Sequence, residues 1–104
     1  MGSAVIHSVY FKLKQASPAA VAALVAECHD KLDGHDGVEY FQVGERGDGF
    51  DRPVNDHDFD VALLLVFRDR AAHDSYQACE RHQQFIQANK DTWAAVRVFD
   101  AIAV

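Results

Sequence analysis

Four side chains able to hold or move a proton sit where apolar ones belong. His7 falls among Val5, Val9 and Phe11, and Asp100 lies between Val98 and Ile102, each on the apolar side of an alternating segment. Tyr76 lies on the apolar side of a helical pattern, with His82 further along it. A carboxylate fixes an imidazole tautomer and raises its basicity. Such an imidazole can serve as general base, and a phenol can donate to a developing oxyanion. The set therefore suits abstraction of a proton next to a carbonyl. In that chemistry one of the two imidazoles, His7 or His82, is the general base, Asp100 holds an imidazole tautomer, and Tyr76 donates to the oxygen that gains charge. The same residues suit a structural role equally well: an Asp–His hydrogen bond tying elements together, and a Tyr hydroxyl bonded to backbone.

Other chemistries lack their residues. No H-x3-H or HExxH spacing is present, and the adjacent Asp56-His57-Asp58 do not converge easily on one ion. The acidic stretch Asp48 to Asp60 lacks the ligand order of an EF-hand. Gly44 and Gly47 lack phosphate-binding spacing, and there is no nucleophile elbow. No metal and no cofactor are expected. His29 reads as half-buried beside the first helix, and His35, His57 and His73 as loop or solvated-helix residues. Cys28 and Cys79 form no CxxC pair and read as reduced, small apolar residues.

Six elements must position the four residues. Residues 5–13 alternate with a period of two, as a strand does. Ser17-Pro18 is a helix start, and Val21, Leu24, Val25, Cys28 and Leu32 form one buried stripe up to Gly34. Residues 38–45 alternate again. Residues 46–58 hold glycine, proline, asparagine and many aspartates, and read as a loop. The third strand, 59–67, is apolar on both faces. Asp69 can cap a second helix carrying Ala72, Tyr76 and Cys79, with His82, Phe85 and Ile86 continuing its period past a bend or restart. Asp91 to Trp93 read as a short turn, and residues 96–104 as the last strand.

Strand, helix, strand, strand, helix, strand is the ferredoxin-like βαββαβ order: an α+β fold with two helices on one face of a four-stranded antiparallel sheet. In that topology the first and fourth strands can be neighbours, so His7 and Asp100 can meet on the helix side. The other face is left bare, although the third strand is apolar there. A symmetric homodimer with sheets face to face would bury it.

The 104 residues suit a single domain, 1–104. Lys and Arg total 10 against 16 Asp and Glu, a formal net charge of -6, which disfavours nucleic acid and anionic membrane as partners. No apolar run is long enough to span a bilayer. The first residues lack the pattern of an export signal, so a cytoplasmic location is expected.

The chain also resembles a known family. His7-Ser8-Val9-Tyr10-Phe11-Lys12-Leu13-Lys14 is similar to the H-x-V-x-F-K-x-K opening of the stress-responsive dimeric α/β barrel (Dabb) domain. Phe67-Arg68-Asp69 with Tyr76, His82 and Phe85, and the closing Val98-Phe99-Asp100, resemble its other motifs. The resemblance implies a dimeric α+β barrel, a homodimer holding a small apolar or polyketide-like ligand or serving a stress-linked role. A branch similar to plant olivetolic acid cyclase closes a linear polyketide without metal or cofactor. By that resemblance Tyr76 and His82 do acid–base work, and His7 and Asp100 line the site. Related barrels host a cofactor-free monooxygenase, which the fold likeness alone brings in. Two departures stand out. The His-Pro that often precedes the motif histidine is replaced by Glu80-Arg81, and a third-strand histidine of the cyclase branch falls at Val61.

Overall fold

The computed structural model describes residues 2–104. The elements run β1 (Val5–Leu13), α1 (Pro18–Leu32), β2 (Val38–Glu45), β3 (Val61–Phe67), α2 (Arg70–Ala78), α3 (Glu80–Asn89), a 3-10 turn (Lys90–Thr92) and β4 (Trp93–Ile102). The strands form one antiparallel sheet in the order β2-β3-β1-β4. This is the expected βαββαβ fold.

Local chemistry sets each boundary. Ser17 caps α1, its hydroxyl accepting from the Ala20 amide at 3.1 Å, and Pro18 opens the helix. Gly34, at φ 77°, carries the chain out of α1 through a left-handed conformation that a Cβ disfavours. Asp69 caps α2 by accepting from the Ala72 amide at 2.9 Å. The expected second helix is two helices, because Cys79 is extended (ψ 156°) between them. The restart therefore occurs without a proline before His82.

Two strand limits differ from expectation. β3 begins at Val61, not residue 59, because Asp60 is used as a fastener: its amide donates to the Phe11 carbonyl at 2.7 Å and its carboxylate accepts from the Leu13 amide at 2.8 Å. β4 begins at Trp93, not residue 96, since an irregularity between Lys12 and Leu13 lets β1 pair on to Trp93. It ends at Ile102.

The core lies between sheet and helices. Val5, Val9, Phe11 and Leu13 of β1 and Val61, Leu63, Leu65 and Phe67 of β3 meet Leu24, Cys28, Leu32, Ala72, Tyr76 and Phe85. Removing each large apolar side chain from water contributes roughly 1.5–3 kcal/mol. Burial also pushes the Cys28 thiol up to about 12, so it behaves as an inert apolar group.

The opposite face carries Ile6, Ser8 and Tyr10 of β1, Ala62, Leu64 and Val66 of β3, Tyr40 of β2 and Phe99 of β4. Among the described residues no element covers its centre. Ile6, Tyr40 and Phe99 are 36%, 50% and 56% exposed. One end is roofed by the loop 46–60, held by Arg97 donating to Asp56 at 2.7 Å and to the Asp58 carbonyl at 3.2 Å. Among the described residues no helix is long and apolar enough to cross a membrane.

Candidate functional site

β1 and β4 pair with His7 directly opposite Asp100. Both side chains therefore point to the helix side, and His7 Nδ1 lies 2.5 Å from Asp100 Oδ1. His7 is 4% exposed, whereas the Asp100 side chain is 46% exposed because β4 is an edge strand reached only partly by the helices. A fully ionised carboxylate accepts only, so His7 donates from Nδ1 and presents the lone pair of Nε2 on the other side of its ring.

Above them, α2 lowers Tyr76 onto the sheet. Its ring packs 5.0 Å from Phe67, 6.1 Å from His7 and 4.7 Å from His82. Tyr76 is buried, and desolvation, with Cys28 and Cys79 nearby, raises its pKa above the ordinary phenol value. It stays a protonated donor throughout the neutral range. His82 stands on the first turn of α3, half-buried, and its pKa is lowered by desolvation and then by the charges of His7, His35 and His73. A neutral imidazole is the form that can accept a proton.

His7, Tyr76, His82 and Asp100 line one cavity of about 340 Å³. Val9, Phe11, Leu63, Phe85, Ile86, Val96 and Val98 supply apolar wall. All four residues singled out from the sequence thus converge. Val61, where the cyclase branch has histidine, is fully buried in the core and does not line this cavity.

Two cavity residues escaped the sequence reading. His73, expected on a solvated helix face, has a side chain only 14% exposed, with its ring 5.4 Å from that of His7. Its position one helical turn before Tyr76 was the available signal. His73 Nδ1 bonds Asp74 Oδ1 at 2.9 Å, and Arg70 donates to the same carboxylate at 3.1 Å. These bonds, His73 first, hold the Asp74 carboxyl below its ordinary pKa. Trp93, read as part of a turn, is the other; its ring packs 5.0 Å from Phe11 and 5.8 Å from Phe85.

Of the other histidines, His57 and His29 are exposed; His29 was expected half-buried, but only its contact with Phe41, 5.6 Å between rings, covers it. His35 is half-buried: Nε2 bonds the Lys31 carbonyl at 2.8 Å, and its ring packs 5.1 Å from Tyr76. Both cysteines are free, Cys28 buried and Cys79 half-buried.

Among the described residues, every buried side-chain nitrogen or oxygen left without a partner belongs to a residue that lines this cavity. These atoms are His73 Nε2, His82 Nδ1 and Trp93 Nε1. Orphaned buried polar atoms are rare in folded proteins, and one explanation is a ligand or water that completes them. A larger hollow of about 540 Å³ lies on the opposite face, between Tyr10, Phe99 and the loop 46–60. It is lined by Arg46 and Arg97 but has no comparable set of orphaned atoms.

Fold and cavity together define a ferredoxin-like α+β protein with a polar-lipped pocket between sheet and helices. The family model described as "Stress responsive A/B Barrel Domain" matches residues 5–103, and the chain belongs to that family. Solved structures agree in fold. A Dabb family protein with a ferredoxin-like fold from Mesorhizobium loti superposes with a TM-score of 0.81 at 20% identity, covering 98% of each chain. A dimeric ferredoxin-like protein of unknown function from Thermobifida fusca gives 0.80 at 12% identity, covering 99% of this chain and 93% of the other. A hydroxynitrile lyase from Passiflora edulis gives 0.78 at 15% identity, covering 100% and 96%. No curated protein matches the sequence significantly.

Proposed function

We propose that the chain, read as the single domain 1–104, forms a homodimer through its bare sheet face and binds a small, mostly apolar, oxygen-bearing molecule in the helix-side cavity. The observation that carries this reading is the set of three orphaned polar atoms around one apolar-walled space. Trp93 Nε1 can only donate, so the molecule needs an acceptor such as a carbonyl or hydroxyl oxygen. The walls of valine, leucine, isoleucine and phenylalanine favour an alkyl or aryl remainder. The exposed Ile6, Tyr40 and Phe99 support a second copy as the cover for the bare face. The dimeric relatives of the same fold support it independently.

The test uses the chain's one tryptophan, which lines the cavity. Titrating alkyl and aryl ketones and aldehydes should give a saturable change in Trp93 fluorescence. An Ile86→Trp variant, which fills the space, would need a Trp93-independent readout, so its loss of binding is followed by calorimetry. Absence of any saturable change across the panel overturns the reading.

A second reading is cofactor-free lyase or cyclase chemistry in the same cavity. Neutral His82 beside the protonated Tyr76, 4.7 Å between rings, supports it. His82 would take a proton from carbon next to a carbonyl or from a hydroxyl, and Tyr76 would donate to the oxygen that gains charge. The lyase among the structural neighbours is a fold analogy only. His82→Ala retaining full turnover on any substrate found would remove this reading.

A further inference from the structure

We infer that His7, His73 and Asp100 form a binding site for a borderline divalent transition-metal ion of the zinc type at the mouth of the cavity. One ligand atom from each residue lies within 4.8 Å of the other two. The three come from β1, α2 and β4, so no sequence spacing announces them. Two imidazoles and a carboxylate are the donor set that such ions favour over magnesium or calcium.

The tautomers explain why a cation belongs there. Asp74 can only accept, so it holds the ring proton of His73 on Nδ1 and leaves the lone pair on Nε2. That Nε2 is buried and has no hydrogen-bond partner. It lies 4.0 Å from Asp100 Oδ1. A nitrogen lone pair and a carboxylate oxygen that close repel unless positive charge, a metal ion or a further ring proton, lies between them. A histidine whose far nitrogen donates to a carboxylate is also the usual outer support of a metal-bound imidazole. Arg70, in turn, fixes Asp74.

The geometry requires a modest adjustment. Tetrahedral ligands around a metal at ~2.0–2.1 Å sit about 3.3 Å apart. Asp100 must therefore move away from His7, now at 2.5 Å, and towards His73, now at 4.0 Å. It is on an edge strand and half-exposed, so its side chain can rotate, and the two ring nitrogens, within 4.8 Å of each other, must also close on the ion. Binding through Nδ1 requires His7 to change tautomer, its single ring proton moving from Nδ1 to Nε2. Three protein ligands leave a fourth coordination position open, and all three residues line the cavity.

The inference goes beyond the proposed function and does not depend on it. The test is calorimetry with zinc salt alone on chelator-stripped protein, followed by Co2+ absorption for geometry. One ion per chain is expected. His73→Gln and Asp100→Asn should each weaken it at least tenfold, and Asp74→Asn by roughly tenfold, as loss of an outer partner does. His57→Ala, at an exposed loop position, should leave the affinity unchanged. Circular dichroism checks that each variant is folded; if Asp100→Asn unfolds the sheet, His73→Gln on α2 decides. No saturable binding, or binding that survives His73→Gln, overturns the inference. Binding lost in His57→Ala would assign the ion to the loop and overturn it as well. Ketone titration in the presence of chelator reports separately on the proposed function.

Discussion

The two faces of β1 and β3 are built from the same strands and serve opposite ends. On the helix side Val5, Val9, Leu63, Leu65 and Phe67 are packed to near zero exposure, and two polar side chains, His7 and Asp100, interrupt the pattern and bond to each other. On the other side Ile6, Leu64, Val66 and Phe99 make an apolar surface without such a pair, and water meets it directly in the single chain. The lesson is that apolar character alone does not say what a face is for. One face supplies the core and lines a pocket; the other leaves apolar area exposed, which the proposed homodimer would bury.

Charge placed on neighbouring β3 residues separates the two. Leu65→Asp puts an unpaired carboxylate into the core, and a loss of more than about 4 kcal/mol is expected, read as failure to fold by circular dichroism. Leu63→Asp should behave alike, since it too points at the helices. Leu64→Asp faces the other way and should leave the secondary structure while splitting the dimer. Sedimentation should then fall from about twice 11.6 kDa to 11.6 kDa. A soluble, folded Leu65→Asp dimer would abolish the distinction, and a Leu64→Asp dimer would move the interface elsewhere.

Smaller changes sharpen the pocket side. Tyr76→Phe removes a hydroxyl while keeping the ring contacts with Phe67 and His82, so stability should change by under about 1 kcal/mol. Ketone affinity should fall about tenfold if the hydroxyl donates to the ligand, measured by Trp93 fluorescence. An equally tight Tyr76→Phe would place the ligand's oxygen on Trp93 or His82 instead.

The smallest expected effect is a pH dependence. The folded pKa of His82 lies below its ordinary 6.5, so between those values the unfolded chain binds more protons than the folded one. Its contribution to stability is therefore complete above about pH 6.5 and is lost as pH falls towards its lowered folded value. Denaturant midpoints from pH 7 down to 5 should fall less steeply in His82→Gln than in the parent. An identical slope would show that His82 is not desolvated.

Much of the fold and of the site is legible in the sequence. Alternation in residues 5–13 put His7 on the buried side, and the βαββαβ order made Asp100 its neighbour. Ser17, Asp69 and the Tyr76–Phe85 stripe marked the helices, because caps and periodicity are local properties. The break at Cys79 was expected only as a bend or restart before His82. His73 and Trp93 were missed for a different reason. Helical spacing from Tyr76 places His73 near the buried stripe but does not say that the next layer covers it, and Trp93 pairs with Leu13 where β1 shifts register after Lys12.

By itself, then, the order of residues determined most of the elements and the inward faces that carry His7 and Asp100, since periodicity and capping act over a few positions. Tertiary structure decided which polar atoms end up without partners and around which space they gather. That depends on how α2, α3 and β4 approach from distant parts of the chain, and no short-range pattern encodes such a meeting.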